Sequence, residues 1–280
     1  RPPRVTSPQS LAAVCSVEKY DRLLHSYGAS VHDLARMIHH RDFSNPPDAI
    51  AYVRDEADIQ AVLDWCGAND LAAVPFGGGS SVVGGVNPPT DERYRGTVTI
   101  NLGQLNKVLE IDKASQAARI QAGALGPDLE NQLRPSGLTM RFFLQAWEFS
   151  SLGGWIATRA AGHFATVYTQ IDDHVESLRV VTPEGLIASR RVPASGAGPT
   201  PDRLFLGSEG TLGIITEAWV RLHRRPTIRL ATTVRFGDYE KAVAAVREIT
   251  QAGLYPANAR LIERSEAAFT EAGDGSADVL

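Results

Sequence analysis

Short apolar segments of helical and strand character follow one another along the chain. Between residues 17 and 38 the apolar positions recur every three to four residues, which predicts two short helices. The apolar run at 49–53 predicts a strand, and Asp55 is a suitable cap for the helix predicted after it. A second strand, predicted at 72–76, leads directly into a glycine-rich loop.

The middle of the chain mixes further strands with helices. Strand-like segments are predicted at residues 97–102, 107–112 and 117–123. A short amphipathic helix is predicted at 127–134, and the small residues of 151–162 predict a tightly packed helix. A hairpin is predicted across Glu184 and Gly185, and a long strand follows a second glycine loop. Strands and helices in this mixture predict an α+β fold.

A boundary is predicted at Arg224, where two arginines are followed by Pro226. After it the pattern restarts, with a strand predicted at 228–236, a helix at 239–252 and a strand at 258–262. We interpret this stretch as the beginning of a second domain.

Composition excludes several classes of partner. Lys and Arg number 28 against 32 Asp and Glu, and the net charge of -4 is spread without long blocks, so nucleic acid is not an expected partner. No apolar run approaches the roughly 18 residues that cross a bilayer. Cys15 and Cys66 lie far apart without CxxC spacing, which predicts neither a disulfide framework nor a zinc site and fits a cytoplasmic protein.

The ends of the chain predict a partial sequence. It begins at Arg1 rather than Met, and it stops at Leu280 without a recognisable terminal element. Membrane association through a part outside these residues, and assembly as a homodimer, are open alternatives.

The loop PFGGGSS, at residues 75–81, follows a predicted strand. Its consecutive backbone N–H groups can form a nest for an anion, and Ser80 and Ser81 add two hydroxyls. A plain strand-ending turn is the simpler alternative. No GK[ST] follows, and Val82 stands where a Rossmann motif places its third glycine, so ATP and NAD are disfavoured.

A second glycine loop, GSEGTLG at 207–213, borders another predicted strand. Between the two loops lies SSLGGWIATRAAG, which has few bulky side chains. Two such loops around a small-residue segment indicate an extended ligand that passes close to backbone at several points, and a dinucleotide has that length. Close packing of a helix on a sheet is the alternative explanation of the small residues.

These motifs together carry a family resemblance. PFGGGSSVVGG, EFSSLGGWIATRAAG, VVTPEG and LGSEGTLGIITEAWVRL, in this order, closely resemble the FAD-binding proteins of the vanillyl-alcohol oxidase, or PCMH-type, superfamily, and within it the alkyldihydroxyacetonephosphate (alkylglycerone-phosphate) synthases. The resemblance implies an FAD domain at 43–224 with α+β lobes at about 43–104 and 105–224. An N-terminal helical segment at 1–42 would precede it, and the start of a truncated cap domain at 225–280 would follow it.

The resemblance also implies the residues that hold FAD. The first loop would wrap the diphosphate, the middle segment would line the ring and ribityl side, and the second loop would close the remaining edge. The implied contacts are Pro75, Phe76, Gly77, Gly78, Gly79, Ser80 and Ser81 in the first loop, Gln145, Ala146, Ser150, Ser151, Gly154, Thr158, Arg159 and Ala161 in the middle, and Glu209, Gly210, Thr211, Gly213, Ile214 and Ile215 in the second loop.

The same resemblance implies a reaction and one catalytic residue. Synthases of this family exchange the acyl chain of an acyl-dihydroxyacetone phosphate for a fatty alcohol, so a small-molecule or lipid-like substrate is expected. Arg260 in NARLIE matches a family arginine that would grip the anionic part of the substrate. A solvated strand charge is the alternative for this residue. Phe142 and Leu144 depart from the family, which has a histidine and a proline there.

Two alternative functions are left open. Relatives on the same scaffold are FAD-dependent oxidoreductases of 2-hydroxy acids or alcohols, such as D-lactate dehydrogenases. A truncated protein that binds FAD without turnover is the other alternative, because of Phe142 and the short cap.

Other chemistry finds little support. His39 and His40 are adjacent and point apart on a helix, so no metal site is predicted, and surface or core roles are expected for His163 and His174. The first glycine loop contains no histidine, which excludes a histidyl-flavin bond from it. Ser208 lies in GSEG rather than in GxSxG, so no acyl-transfer triad is indicated.

Overall fold

The fold is described from a computed structural model, which describes residues 1–162, 170–192, 196, 198–273 and 275–279. The predicted N-terminal helices are α1 (Lys19–Leu24) and α2 (Val31–Ala35), and a single π turn, Arg36–His40, extends α2. Ser30 caps α2, because its hydroxyl accepts the backbone N–H of Asp33 at 3.0 Å.

The first sheet has four strands in the order β1-β2-β4-β3. These strands are β1 (Cys15–Ser16), β2 (Ala49–Tyr52), β3 (Leu71–Phe76) and β4 (Gly96–Asn101). The pairs of β4 with β2 and with β3 are parallel, whereas β1, from the N-terminal segment, pairs antiparallel with β2. Because the two parallel pairs place three strand ends at one edge, the loop after β3 leaves the sheet beside the ends of β2 and β4.

A long helix covers the first sheet. This helix, α3 (Glu56–Ala68), begins after Asp55, whose carboxylate accepts the N–H of Asp58 at 2.9 Å. Its buried face of Ile59, Val62 and Cys66 packs against β3 and β4, as the helical spacing predicts.

The second sheet has five antiparallel strands in the order β5-β6-β10-β8-β9. They are β5 (Val108–Asp112), β6 (Ala117–Gln121), β8 (Val175–Thr182), β9 (Gly185–Ala188) and β10 (Ile214–Arg221). Strand β7 (Leu138–Thr139) pairs separately with β11 (His223–Arg224). Three helices accompany this part, namely α4 (Gly126–Leu133), α5 (Leu152–Ala157) and α6 (Asp202–Phe205). The mixture of both sheets with these helices confirms the α+β fold class.

Helix α5 is shorter than the helix predicted at 151–162. It ends at Ala157, and Arg159 has a positive φ of 51°, a conformation that ends a right-handed helix. The small residues beyond Ala157 therefore form irregular backbone rather than a further turn of helix.

The C-terminal region differs most from prediction. The predicted strand at 228–236 forms only β12 (Arg235–Phe236), which pairs with β13 (Asp278–Val279), and residues 258–262 form no strand. Leu230 is 94% exposed, so this segment has no apolar surface to pack on within the described residues. Helix α7 (Tyr239–Gln251) forms as predicted, and α8 (Arg264–Phe269) was not predicted.

No helix in the part of the chain described here is both long enough and apolar enough to cross a bilayer.

Candidate cofactor site

A cavity of about 480 Å³ opens where the loop after β3 faces α5 and the start of β10. Its size lies within the range of small-molecule and cofactor pockets, roughly 300–1,000 Å³. All of the predicted cofactor contacts line it except Arg159 and Thr211. The structure thus brings together three segments that are separated by about 50 to 65 residues in the sequence.

The first wall is the glycine loop at residues 77–81. Among the described residues, none accepts a hydrogen bond from the five backbone N–H groups of this loop. Gly79 has a φ of 69°, and a Cβ there would lie 2.6 Å from the ring of Phe76, so the turn requires glycine. The loop therefore offers a row of main-chain donors to an anion in the cavity.

Two glycines bring this loop against the middle segment. A Cβ on Gly77 would collide with the hydroxyl of Ser151, and a Cβ on Gly78 would collide with the carbonyl of Phe149. The close approach of the two segments thus depends on the absence of side chains at both positions.

A buried histidine packs against Phe76, the residue that precedes the glycine loop. The ring of His25 lies 4.4 Å from that of Phe76, between ring centroids. Its Nδ1 donates to the carbonyl of Asp21 at 2.7 Å, and its Nε2 accepts from the amide of Asn101 at 2.8 Å. Burial lowers the pKa of His25 below its ordinary value, so the ring is neutral at pH 7 and keeps its acceptor.

The second wall is α5 and the residues around it. The N–H of Gly153 donates to Ala122 at 2.7 Å, and a Cβ on Gly153 would lie 2.8 Å from that of Ala122. Gly154, Ala157 and the residues after α5 line the cavity. The small residues thus serve helix-on-sheet packing at Gly153 and form the cavity wall along the same segment.

Trp155 is a lining residue that the sequence analysis missed. Its indole N–H donates to the hydroxyl of Ser150 at 2.7 Å, and that hydroxyl donates to the carbonyl of Ala146 at 2.7 Å. The hydroxyl of Ser150 is therefore engaged within the protein and positions the indole. A tryptophan within a small-residue helix is the only sequence signal for this role.

Other unpredicted lining residues are small or apolar. They are Val82, Val83, Gly85, Val86, Leu102, Leu144, Gly153, Ala157 and Ala160. Val82 and Val83 are also exposed, so they form an apolar rim beside the loop.

The third wall is the second glycine loop. Gly210 has a φ of 84°, and a Cβ there would lie 2.8 Å from the ring of Pro75, so this loop packs directly on the first. Glu209 is the one charged residue among the described lining residues. The described lining residues include no lysine or arginine, so the groups available to an anion in the cavity are backbone N–H groups and hydroxyls.

Two predicted contacts point away from the cavity. The hydroxyl of Thr211 donates to the carbonyl of Ser208 at 2.7 Å. Arg159 pairs with Asp172 at 2.6 Å, and Asp172 also accepts from Arg203 at 3.1 Å. Both side chains are thus engaged elsewhere, although their motifs border the cavity.

Arg260 and Phe142 do not reach the cavity either. Arg260 is exposed in the C-terminal region and pairs with Glu266 at 3.2 Å. Phe142 is 1% exposed and packs between Trp155 and His174 in the core of the second sheet. The departure from the family at Phe142 thus lies behind the cavity wall. His174 is buried near Phe142, and His163 lies outside the described residues.

A second cavity, of about 280 Å³, adjoins the first. Gly77 and Gly78 line both cavities, and Asn101, Asn106 and Asp128 give the second one a polar lining. No group of three potential metal ligands occurs among the residues described.

Comparison with known proteins decides the family. Residues 47–189 match the family model described as "FAD binding domain", and this range contains the first loop and the α5 wall. The chain belongs to the FAD-binding domain family of PCMH-type flavoproteins. Its cofactor is FAD.

The relatives of this FAD-binding chain include enzymes of two kinds. It is 36% identical over 249 residues to the alkyldihydroxyacetonephosphate synthase of Dictyostelium discoideum, covering 89% of this chain and 40% of that protein. A solved structure of an alkyldihydroxyacetonephosphate synthase superimposes with a TM-score of 0.89 at 30% identity, over 99% of this chain and 55% of the other. The chain is also 32% identical over 220 residues to the mitochondrial D-lactate dehydrogenase [cytochrome] 1 of Saccharomyces cerevisiae, covering 78% and 37% of the two proteins. The chain therefore spans about two fifths of the two curated relatives.

The donor set of the cavity fits FAD. A diphosphate carries negative charge. The loop at 77–81 has five backbone N–H groups, and none of the described residues accepts a hydrogen bond from them. Ser80, which carries a hydroxyl, also lines the cavity. The small residues of α5 and an edge of the largely buried Trp155 line the same cavity.

Proposed function

We propose that these residues form the flavin-holding part of an FAD-dependent enzyme of the alkyldihydroxyacetonephosphate synthase type. Such an enzyme exchanges the acyl chain of an acyl-dihydroxyacetone phosphate for the alkyl chain of a fatty alcohol, with no net oxidation. The observation that carries the proposal is the single cavity walled by both glycine loops and α5. The relatedness to synthases over 89% of the chain supports this reaction.

In this proposal the loop at 77–81 binds the diphosphate through its N–H groups. Trp155 and the small residues of α5 orient the ring, and bound FAD supplies its N5 position as the reactive atom. Val82 and Val83 offer an apolar surface to an acyl or alkyl chain at the mouth of the cavity.

Arg260 is proposed to hold the anionic part of the substrate. It belongs to the C-terminal region, outside the cavity wall, and its guanidinium is free to exchange Glu266 for a phosphate, because an exposed ion pair is weak.

Residues 1–280 are not expected to turn over substrate on their own. They contain one candidate catalytic residue, and it lies away from the cavity. Synthase activity measured from residues 1–280 alone would contradict this part of the proposal.

A second candidate is an FAD-dependent oxidoreductase of a 2-hydroxy acid or alcohol. The relatedness to a D-lactate dehydrogenase favours it. Anaerobic addition of D-lactate to the complete protein separates the two functions. Bleaching of the flavin absorbance supports the oxidoreductase, whereas an enzyme of the synthase type does not oxidise D-lactate and leaves the absorbance unchanged.

Replacement of Gly78 tests the site itself. Gly78→Asp places a carboxylate on the loop and forces it away from Phe149, so the purified protein is expected to lose its flavin. Gly67→Asp is the matched control, because nothing lies within 4 Å of a Cβ at Gly67. Flavin absorbance per mole of protein is measured for both variants, and normal flavin content in Gly78→Asp refutes the loop assignment.

A further inference from the structure

We call the glycine loop at 77–81 the cofactor loop. Its C-terminal end, at Ser81, is held by residues that precede the range matched by the FAD-binding family model. The N–H of Ala29 donates to the carbonyl of Ser81 at 2.7 Å. A Cβ on Gly28 would collide with the same carbonyl, so the two segments touch through backbone. Residues 28–33 lie outside the range 47–189 that matches the family model.

One side chain joins this segment to the continuation of the loop. The amide oxygen of Asn87 accepts the N–H of Gly28 at 2.9 Å, and its Nδ2 donates to Oδ1 of Asp33 at 2.8 Å. Asn87 thus bridges two points of the N-terminal segment from a position six residues after Ser81. We call Gly28, Asp33 and Asn87 the clasp.

Asp33 is fixed on its other side. Its Oδ2 accepts the hydroxyl of Ser30 at 2.7 Å, and the residue is 1% exposed. Although burial raises the pKa of Asp33, the hydrogen bonds from Ser30 and Asn87 leave that pKa below its ordinary value. The carboxylate is therefore ionised and accepts only, so Asn87 must turn its donor toward it.

We propose that Asn87 and Asp33 are positioning residues for FAD, acting through the cofactor loop. The clasp fixes the Ser81 end of the loop, and Gly78 against Phe149 fixes the other end. With both ends held, the N–H groups between them converge before FAD arrives, which reduces the ordering that binding requires. The proposal rests on the loop being the diphosphate site.

Exchange of the two clasp side chains is the decisive test. Asn87→Asp sets two carboxylates against each other, and the dissociation constant of FAD is expected to rise about tenfold or more. In the double variant Asp33→Asn/Asn87→Asp, the new amide donates to the new carboxylate, which still accepts from Gly28. The dissociation constant of FAD for this double variant is expected to return to within about threefold of the original value. The corresponding change in binding free energy is well under the 1.4 kcal/mol of a tenfold change.

The affinity is measured by titrating apoprotein with FAD and following flavin fluorescence. Asn69→Asp is the matched control, because Asn69 donates to Trp65 at the end of α3, away from the cavity. Asn87→Ala removes both bonds without adding charge, and it is expected to weaken FAD binding even if Asn87→Asp does not fold. Thermal unfolding of each apoprotein separates loop positioning from loss of overall stability.

The outcomes distinguish the clasp from the site. If Gly78→Asp loses FAD but Asn87→Asp and Asn87→Ala bind it as the original does, the clasp proposal is wrong and the site stands. If the double variant recovers apoprotein stability but not affinity, the clasp proposal is also wrong. If Gly78→Asp retains FAD, the site proposal fails first.

Discussion

The guanidinium of Arg179 and the carboxylate of Glu56 form a bidentate ion pair, with Nη2 at 2.6 Å from Oε2 and Nε at 2.9 Å from Oε1. Glu56 begins α3 on the first sheet, and Arg179 lies on β8 of the second sheet. Thr216 donates its hydroxyl to the same carboxylate at 2.7 Å. The pair therefore ties together the two sheets whose loops form the cavity.

Removal of this charge is expected to weaken the fold. Glu56→Gln leaves Arg179 without its main partner and should lower the free energy of unfolding by roughly 1–2 kcal/mol. Glu248→Gln, at an exposed pair with Arg247, should change it by less than about 0.5 kcal/mol. Urea unfolding of both variants measures the difference, and equal losses would contradict the role of the pair.

The same pair predicts a pH dependence. Hydrogen bonds from Arg179 hold the pKa of Glu56 below its ordinary value of 4.5. Its stabilising contribution is thus fully present above about pH 4.5 and is lost as the pH falls below that value. Unfolding of the original protein and of Glu56→Gln should therefore differ less at pH 3.5 than at pH 7, and a constant difference argues against this linkage.

Replacing glycine by alanine should have opposite effects on stability in α5 and in α3. Gly153→Ala pushes a methyl group against Ala122 and should destabilise the protein by about 1–3 kcal/mol. Gly67→Ala adds a methyl group in open space within α3 and should stabilise it by about 0.5–1 kcal/mol. Thermal unfolding of the two variants should shift in opposite directions; a shift in the same direction would show that Gly153 is not packed as described.

Restoring the family histidine at Phe142 should harm the protein. In Phe142→His the new imidazole is buried between Trp155 and His174, and the loss of apolar contact should destabilise the fold by roughly 1–3 kcal/mol. Phe142→Leu, which stays apolar, should lose less. Flavin absorbance followed from about pH 5 to 8 should show no new transition in Phe142→His, since the residue does not line the cavity. A new transition there would place the side chain at the flavin.

Local signals explain the parts of the fold that the sequence predicts. Asp55 caps the start of α3, and Gly79 gives the loop at 77–81 its positive φ beside the ring of Phe76. These features depend on a few neighbouring residues, so the pattern reveals them. The predicted strand at 228–236 depends on a pairing partner, and within the described residues only β13 supplies one over two residues.

Long-range contacts explain what the sequence analysis missed at the site. Arg159 lies in a cofactor motif, but Asp172, thirteen residues later, turns its side chain away. Asn87 and Asp33 are 54 residues apart, and no local pattern relates them. Trp155 serves both the core and the cavity wall, a combination that spacing alone does not separate. The assignment of individual cofactor contacts stays a prediction.

The two glycines shared by both cavities have an electrical consequence. Gly77 and Gly78 line both the 280 Å³ chamber and the larger one, and where these two residues lie between them the wall has no side chains. A charge in one chamber therefore acts on the other across the peptide units of these two glycines. Charges in the two neighbouring compartments therefore interact electrostatically. An anion bound in the larger chamber makes the smaller one more favourable to protons and cations.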